Sequence, residues 1–528
     1  MKLQSTTSHV FGIVLFLIMP YFLCTGYAGN RATDNALSNK KIPVIVINTD
    51  VKFQTIQNFG ASDAWTGQFV GLWPDAKRNR VADLLFSTET NKNGQPKGIG
   101  LSLWRFNIGT GSARQNNLRD EWKTTETFLN TDGTYDWTKQ SGQRWLIKAA
   151  QKRGVNQFLG FTNSPPVSLT KNGKSFSAGG IHANLLPSNY TAFSEFLANV
   201  ALHFQQEGIP LNYLSPFNEP QWDWADNKQE GCPYTNQEIY DITKKLDSLI
   251  SAKKLNTKII IGEAGKLNYL YEKADKAERG NQISEFFNQN STRYLGAMAN
   301  VEKSISAHSY FTTGPVGYMT SSRLALKNKL TEASIPLAFW QSEYCILGDQ
   351  EEIAGSGKDL GMNTALYVAR IIHYDLAVAN ASTWQWWLAV SVYDYKDGLI
   401  YIDKNKTDGK IEESKLLWAF GNFSRFIRPG SIRVGVTGEN LDINNPTGLM
   451  VSSYVDNSNK KLVTVLINYG SSDVNYKVQV KGMKIKYFTP YITNDTTEKG
   501  LNPLTRIKSS ESFVVPKRSI VTLVGAMN

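Results

Sequence analysis

The 528-residue chain predicts an α/β fold: a (β/α)8 barrel with an antiparallel β-sandwich as side domain. Three observations lead there. From residue 56 onward, short and nearly continuous apolar runs alternate with stretches whose apolar residues recur at helical spacing. Parallel strands covered on both faces by helices read this way. Eight such runs precede residue 427, each followed by a helix-length segment, which is the pattern of a closed barrel. Beyond residue 428 the strands become short and are joined by Asn, Gly, Ser and Pro turns, the spacing of a sandwich. With 41% hydrophobic residues, 13 Trp and 23 Tyr, the chain has ample material for both cores and is far too rich for a disordered chain.

The elements follow in order. Lys2, the apolar run Val10 to Leu23 and the small residues Gly26 and Ala28 form an export signal, with cleavage expected after Ala28. This predicts export, with periplasm, cell surface and medium all open as destinations. No later run reaches 18 apolar residues, so no integral membrane segment is expected in the mature chain. Residues 29–55 read as a linker containing a strand, Pro43–Asn48, that joins the C-terminal sheet, since chain ends often meet. The barrel is assigned to residues 56–427. Its strands are Ile56–Ala61, Leu101–Asn107, Gln157–Thr162, Leu211–Asn218, Lys258–Glu263, Ser304–His308, Leu337–Glu343 and Ala381–Trp386. Tyr190–Gln206 and Leu360–Ala379 are the clearest helices between them. The sandwich takes residues 428–528, with strands Leu449–Val455, Leu462–Asn468, Val474–Val480, Ile485–Thr489, Ser512–Val515 and Ile520–Val524.

Charge is unevenly spread. The formal balance is +11, and from Asn457 to Arg518 eleven Lys/Arg face four Asp/Glu, so +7 lies near the C-terminus. These cations alternate with strand residues, as from Val478 to Lys486, and sit in no nucleic-acid motif. A solvated β-face is predicted, and no nucleic-acid partner. Cleavage would leave Cys232 and Cys345, too few for a disulfide framework, with their pairing open. No Cys/His cluster has zinc spacing and only five His are present, so neither metal nor cofactor is expected. The oligomeric state is not legible.

Barrel enzymes carry their chemistry at the C-terminal ends of strands. The fourth predicted strand runs into Asn218-Glu219-Pro220, and the seventh ends at Glu343. Two glutamates on opposite sides of one barrel mouth are the minimum equipment for cleaving a glycosidic bond. One stays protonated for the leaving oxygen while the other attacks as an anion, and their repulsion helps to separate the roles.

On these residues the chain resembles glycoside hydrolase family 30, over nearly all of its length after the export signal. The resemblance implies a retaining mechanism with Glu219 as acid/base and Glu343 as nucleophile, and with Asn218 binding the sugar 2-hydroxyl. Arg105, in the strand-two segment Trp104–Gly109, would support the nucleophile, and His308 and Tyr310 match positions beside it. Trp386 matches a tryptophan beneath the reacting sugar. Strand alternation sends Trp384 and Trp386 to one face and Trp387 to the other, which makes Trp387 a packing residue. Asp63 and Trp65, ending strand one, are expected to bind sugar hydroxyls and to wall the pocket. Trp222 and Trp224, just past Glu219, are expected in leaving-group subsites.

The segment Phe161–Gly173 and the tryptophan clusters resemble the endo-β-1,6-galactanase branch. The expected partner is therefore a polysaccharide or oligosaccharide, with β-1,6-galactan side chains of arabinogalactan as substrate. A β-1,6-glucanase, a xylanase, a glucosylceramidase and a non-catalytic carbohydrate-binding barrel are the alternatives.

Overall fold

A computed structural model describes residues 42–527 except 116, 349, 350, 440, 443, 444 and 446. The expected export signal and the start of the linker lie outside the described residues. The chain opens with β1 (Val44–Thr55), which belongs to the sandwich, and then enters the barrel. The barrel strands are β2 (Asn58–Ser62), β3 (Leu103–Asn107), β4 (Gln157–Phe161), β5 (Tyr213–Ser215), β6 (Lys258–Ala264), β7 (Val301–His308), β8 (Ala338–Glu343) and β9 (Ala381–Ser391). Each pairs in parallel with the next, and β9 pairs with both β8 and β2, which closes the ring. β10 (Gly398–Ile402) and β11 (Ile411–Glu413) extend β9 outside it as a hairpin that the sequence did not announce.

Alternation along the strands divides the side chains between interior and helical layer. Inward-facing amides build a polar layer across the barrel. Asn58 donates to Gln157 Oε1 at 3.1 Å, Gln385 donates to Asn58 Oδ1 at 3.2 Å, and the Gln385 backbone N–H donates to Gln341 Oε1 at 3.2 Å. Mutual hydrogen bonding makes such burial tolerable. Outward residues meet the helices: Trp104 packs edge-on against Phe86 of the helix Asp75–Phe86, with centroids 4.9 Å apart. Apolar periodicity placed Tyr190–Gln206 correctly, and Thr235 with Glu238 closes a capping box on the helix Asn236–Ala252.

The sandwich strands are β12 (Ile432–Gly438), β13 (Leu449–Asp456), β14 (Lys461–Asn468), β15 (Val474–Lys481), β16 (Ile485–Asn494), the two-residue β17 (Asn502–Pro503) and β18 (Ile507–Lys508), β19 (Ser512–Val515) and β20 (Ser519–Met527). β1 lies between β12 and β15. Its pairing with β15 is parallel, within an otherwise antiparallel sheet. Ile45, Ile47, Leu466, Phe488 and Leu523 fill the sandwich interior. On the other side Met450, Val463 and Ile520 merge with the barrel core. Asn422, on the helix Lys415–Ser424, ties the domains by donating to Thr522 Oγ1 at 2.9 Å and accepting from Thr493 at 2.7 Å. Cys232 and Cys345 are both free and buried. Among the described residues no helix is long and apolar enough to cross a membrane.

Candidate active site

Glu343 is the last residue of β8, and Glu219 follows β5 in a left-handed backbone conformation with φ 44°. Both are nearly buried at the barrel mouth, 4% and 7% exposed respectively. One carboxylate oxygen of each, and one ring nitrogen of His308, lie within 4.8 Å of one another. Their surroundings differ. Glu343 Oε2 accepts from the Arg105 guanidinium and Oε1 accepts from the Tyr310 hydroxyl at 3.1 Å. Among the described residues no guanidinium pairs with Glu219; its Oε1 lies 2.9 Å from His308 Nδ1. Burial pushes its pKa up and the Glu343 charge adds to that, while His308 pulls the other way.

A third glutamate completes the cluster, and sequence reasoning missed its role. Glu263 lies on β6, fully buried, and its Oε2 meets His308 Nε2 at 2.8 Å, Arg105 at 3.3 Å and the Ser342 hydroxyl at 3.0 Å. A β-bulge turns it inward. Gly262 makes the bulge possible: its φ is 112°, and a Cβ there would stand 2.3 Å from the Ser306 carbonyl oxygen. The only signal in the sequence was its place at the end of the predicted fifth strand. Burial alone would raise the Glu263 pKa, but His308, Arg105 and Ser342 together hold it below its ordinary value. Burial likewise opposes a charged His308, yet Glu343, Glu219 and Glu263 raise its pKa to about 10.

The cluster thus contains two cations, Arg105 and His308, and three carboxyl groups. It is neutral when Glu219 carries a proton, which agrees with the direction of its shift. Glu219, His308 and Glu343 are close enough to offer a metal three ligands, but both nitrogens of His308 are already held by carboxylates. That donor set suits a proton network better than a metal.

Glu263 gives a testable pH window. A raised His308 pKa contributes stability that is full below 6.5 and lost as pH climbs toward about 10. A lowered Glu263 pKa contributes above 4.5 and is lost as pH falls. The thermal midpoint should therefore fall on both sides of a plateau between these limits, and Glu263→Gln should flatten both flanks. The same variant should lower kcat on the order of 100-fold with KM little changed, because Arg105 and His308 would lose their shared anchor. A retained kcat with a shifted melting profile would make Glu263 purely structural.

Asn218 Oδ1 accepts from Arg105 at 3.4 Å, and the guanidinium stacks 3.9 Å above the Phe161 ring. Asp63 does not present its carboxylate to the opening. Its Oδ1 accepts from the Asn107 N–H at 2.8 Å and from Gln143 at 3.3 Å, while burial raises its pKa to about 7. It positions the strand ends around Arg105.

The tryptophan assignment on β9 is corrected. Trp384 and Trp386 do share a face, but it is the outer one. Trp384 donates to Asp375 at 2.8 Å and packs on Phe420; Trp386 stacks beside it and donates to the Asp397 carbonyl at 2.7 Å. Gln385 belongs to the interior amide layer, so its neighbours along the strand must point outward. Trp387 is the inward ring, meeting Trp65 edge-on at 5.3 Å and Phe161 at 6.2 Å. Trp65, Trp387, Tyr393 and Lys123 line a cavity of about 380 Å3 at this side of the mouth.

On the Glu219 side, Trp222 is half-buried and meets Tyr269 and the exposed Phe311, each at 6.0 Å. Lys266 Nζ stands 5.4 Å from its ring centre. Trp224 is less available, because its indole N–H donates to the Glu219 carbonyl at 3.1 Å and braces that loop.

Known proteins resemble this chain over most of its length. The chain is 26% identical over 453 residues to an endo-β-1,6-galactanase of Hypocrea rufa, covering 80% of this chain and 82% of that one. It is 23% identical to the glucuronoxylanase XynC of Bacillus subtilis (strain 168), covering 91% of each. A conserved exported protein from Bacteroides fragilis superposes with a TM-score of 0.86 at 36% identity, over 91% of this chain and all of the other. Residues 42–401 match the model of O-glycosyl hydrolase family 30, and residues 430–523 match that family's β-sandwich domain. A glutamate pair at the ends of two barrel strands and a sandwich fed by both ends of the chain thus have one source: the chain belongs to glycoside hydrolase family 30.

Proposed function

We propose that this glycoside hydrolase is an exported, retaining endo-β-1,6-galactanase. The observation that carries the mechanism is the close but unequal pair Glu219 and Glu343, one oxygen of each lying within 4.8 Å of the other. A retaining enzyme places its carboxyl groups about 5–5.5 Å apart, whereas an inverting one needs roughly 6.5–9.5 Å for an intervening water. Glu343, aligned by Arg105 and Tyr310, attacks the anomeric carbon as the Glu219 proton passes to the leaving oxygen. The glycosidic bond breaks and a glycosyl ester to Glu343 forms. Water, deprotonated by the Glu219 carboxylate, then releases the sugar with its original configuration and restores the proton to Glu219.

The substrate reading is supported by the relative named endo-β-1,6-galactanase and by the two aromatic sites flanking the carboxylates. Trp65 and Trp387 form one; Trp222 and Phe311, backed by the buried Tyr269, form the other. Platforms separated in this way suit a 1,6-linked chain, whose extra rotatable bond lets successive rings tilt. Digestion of β-1,6-galactan, β-1,6-glucan and glucuronoxylan, with products sized and their anomeric protons followed by NMR, tests it. Short galacto-oligosaccharides released first as the β anomer are expected. Faster cleavage of glucan or xylan, or release of monosaccharide alone, would move the chain to another branch of the family. Trp222→Ala should reduce kcat/KM roughly 10- to 100-fold on polymer and little on an aryl glycoside, since leaving-side binding energy is used in the transition state.

A further inference from the structure

Three of the nine lysines between Asn457 and Arg518 line one feature of the sandwich. A groove of about 620 Å3 opens between β15 and the β16–β18 pair. Val478, Val480 and Met483 give it an apolar floor, and Lys484, Lys486 and Lys508 stand along it. Tyr487 also lines it, with the Arg506 guanidinium 4.4 Å from its ring centre. Among the described residues only Lys508 of these four cations has a carboxylate within ion-pairing distance, Glu511 at 3.8 Å. Unpaired like charges around one trough repel each other, a cost that a polyanion would relieve.

We propose that this groove is a second glycan site, one that binds a carboxylate-bearing (uronic-acid) polysaccharide chain. Its shape and chemistry select that occupant. A trough with cations along it fits an extended chain, whereas a bilayer presents a broad surface to which a concavity cannot conform. Single-stranded nucleic acid is gripped by free aromatic faces, and the Tyr487 face already carries Arg506. A sugar chain can lay its C–H faces on Val478, Val480 and Met483 while its carboxylates reach the ammonium groups. That the occupant is a polysaccharide rests on the glycan-cleaving reading of the barrel; the cationic trough does not. Where one polymer carries both uronic acids and the cleavable linkage, engaging both sites would raise the effective concentration of that linkage at the barrel.

The test is affinity electrophoresis of the full chain through gels containing polygalacturonate, neutral β-1,6-galactan or DNA, with flotation on phosphatidylserine vesicles as a fourth arm. With hydrolysis stopped by Glu343→Gln, neutral galactan is held at the barrel independently of salt, while salt-sensitive retardation by polygalacturonate is expected to exceed that in the DNA and vesicle arms. Lys484→Gln/Lys486→Gln/Lys508→Gln should weaken it at least about tenfold and leave hydrolysis of an aryl glycoside within twofold. The single exchanges Lys484→Gln and Lys486→Gln, at exposed positions, should each weaken it severalfold and serve if the triple variant folds poorly. Unchanged retardation by polygalacturonate in these variants, stronger binding to DNA or vesicles, or galactan retardation that the same lysine exchanges weaken equally, overturns the proposal. An enzyme inert on every glycan would overturn the reading of the barrel site, while polygalacturonate binding is scored separately.

Discussion

Glu343→Gln is expected to lower kcat/KM by at least about ten-thousandfold on every substrate, whatever its leaving group, as loss of a covalent nucleophile does elsewhere. The amide preserves the size of the side chain and an oxygen for Arg105 and Tyr310, but it cannot form the glycosyl ester. A second loss compounds the first. In the wild-type cluster Arg105 and His308 balance Glu263, Glu343 and a protonated Glu219. Replacing the Glu343 charge lets the same two cations balance Glu263 and an ionised Glu219, so the acid also gives up its proton more readily. The variant should therefore lack the nucleophile and hold the acid's proton less firmly, although burial still favours that proton. Kinetics on galactan and on an aryl β-galactoside measure the loss. Trapping of wild-type enzyme with a 2-fluoro sugar, followed by peptide mass analysis, should find the label on Glu343. A label on Glu219, or near-normal turnover of the variant, would refute the assignment.

The parts of this site that were legible in the sequence are those determined locally. A strand buried on both faces reads as an apolar run, and its C-terminal end locates the barrel mouth, so Glu219 and Glu343 stood out without coordinates. The role of Arg105 came from the resemblance of Trp104–Gly109 to the family's strand-two segment. Three features depended on the third dimension. Glu263 sits at a strand end like the others, yet its importance comes from Arg105, His308 and Ser342, which belong to three different strands. The face of β9 that carries Trp387 is set by its pairing with β2, where the register slips between Ala61 and Ser62. Periodicity grouped Trp384 with Trp386 but had no means of telling inside from outside. The parallel pairing of β1 with β15 joins residues more than 430 positions apart, beyond any local pattern.

Glu219→Gln should divide substrates by leaving group. On galactan the departing hydroxyl needs a proton, so kcat/KM is expected to fall by about 1,000- to 10,000-fold. On an aryl glycoside with an acidic phenol the first step needs no acid and should stay within about tenfold of wild type. The second step still needs a base to activate water, so the glycosyl ester on Glu343 should accumulate. A burst of phenol and a lowered KM are the expected signs. Azide needs no deprotonation, so it should restore turnover of the aryl substrate in Glu219→Gly, where the lost side chain leaves room for it. The product should be the β-glycosyl azide, because attack on the ester inverts the configuration a second time. The raised Glu219 pKa adds a check on the same residue. Wild-type activity on galactan should decline on the alkaline side as this proton is lost, and that limb should vanish for the aryl substrate once glycosylation alone is followed. Equal losses on galactan and aryl glycoside, with no burst and no azide product, would remove Glu219 from the acid/base role.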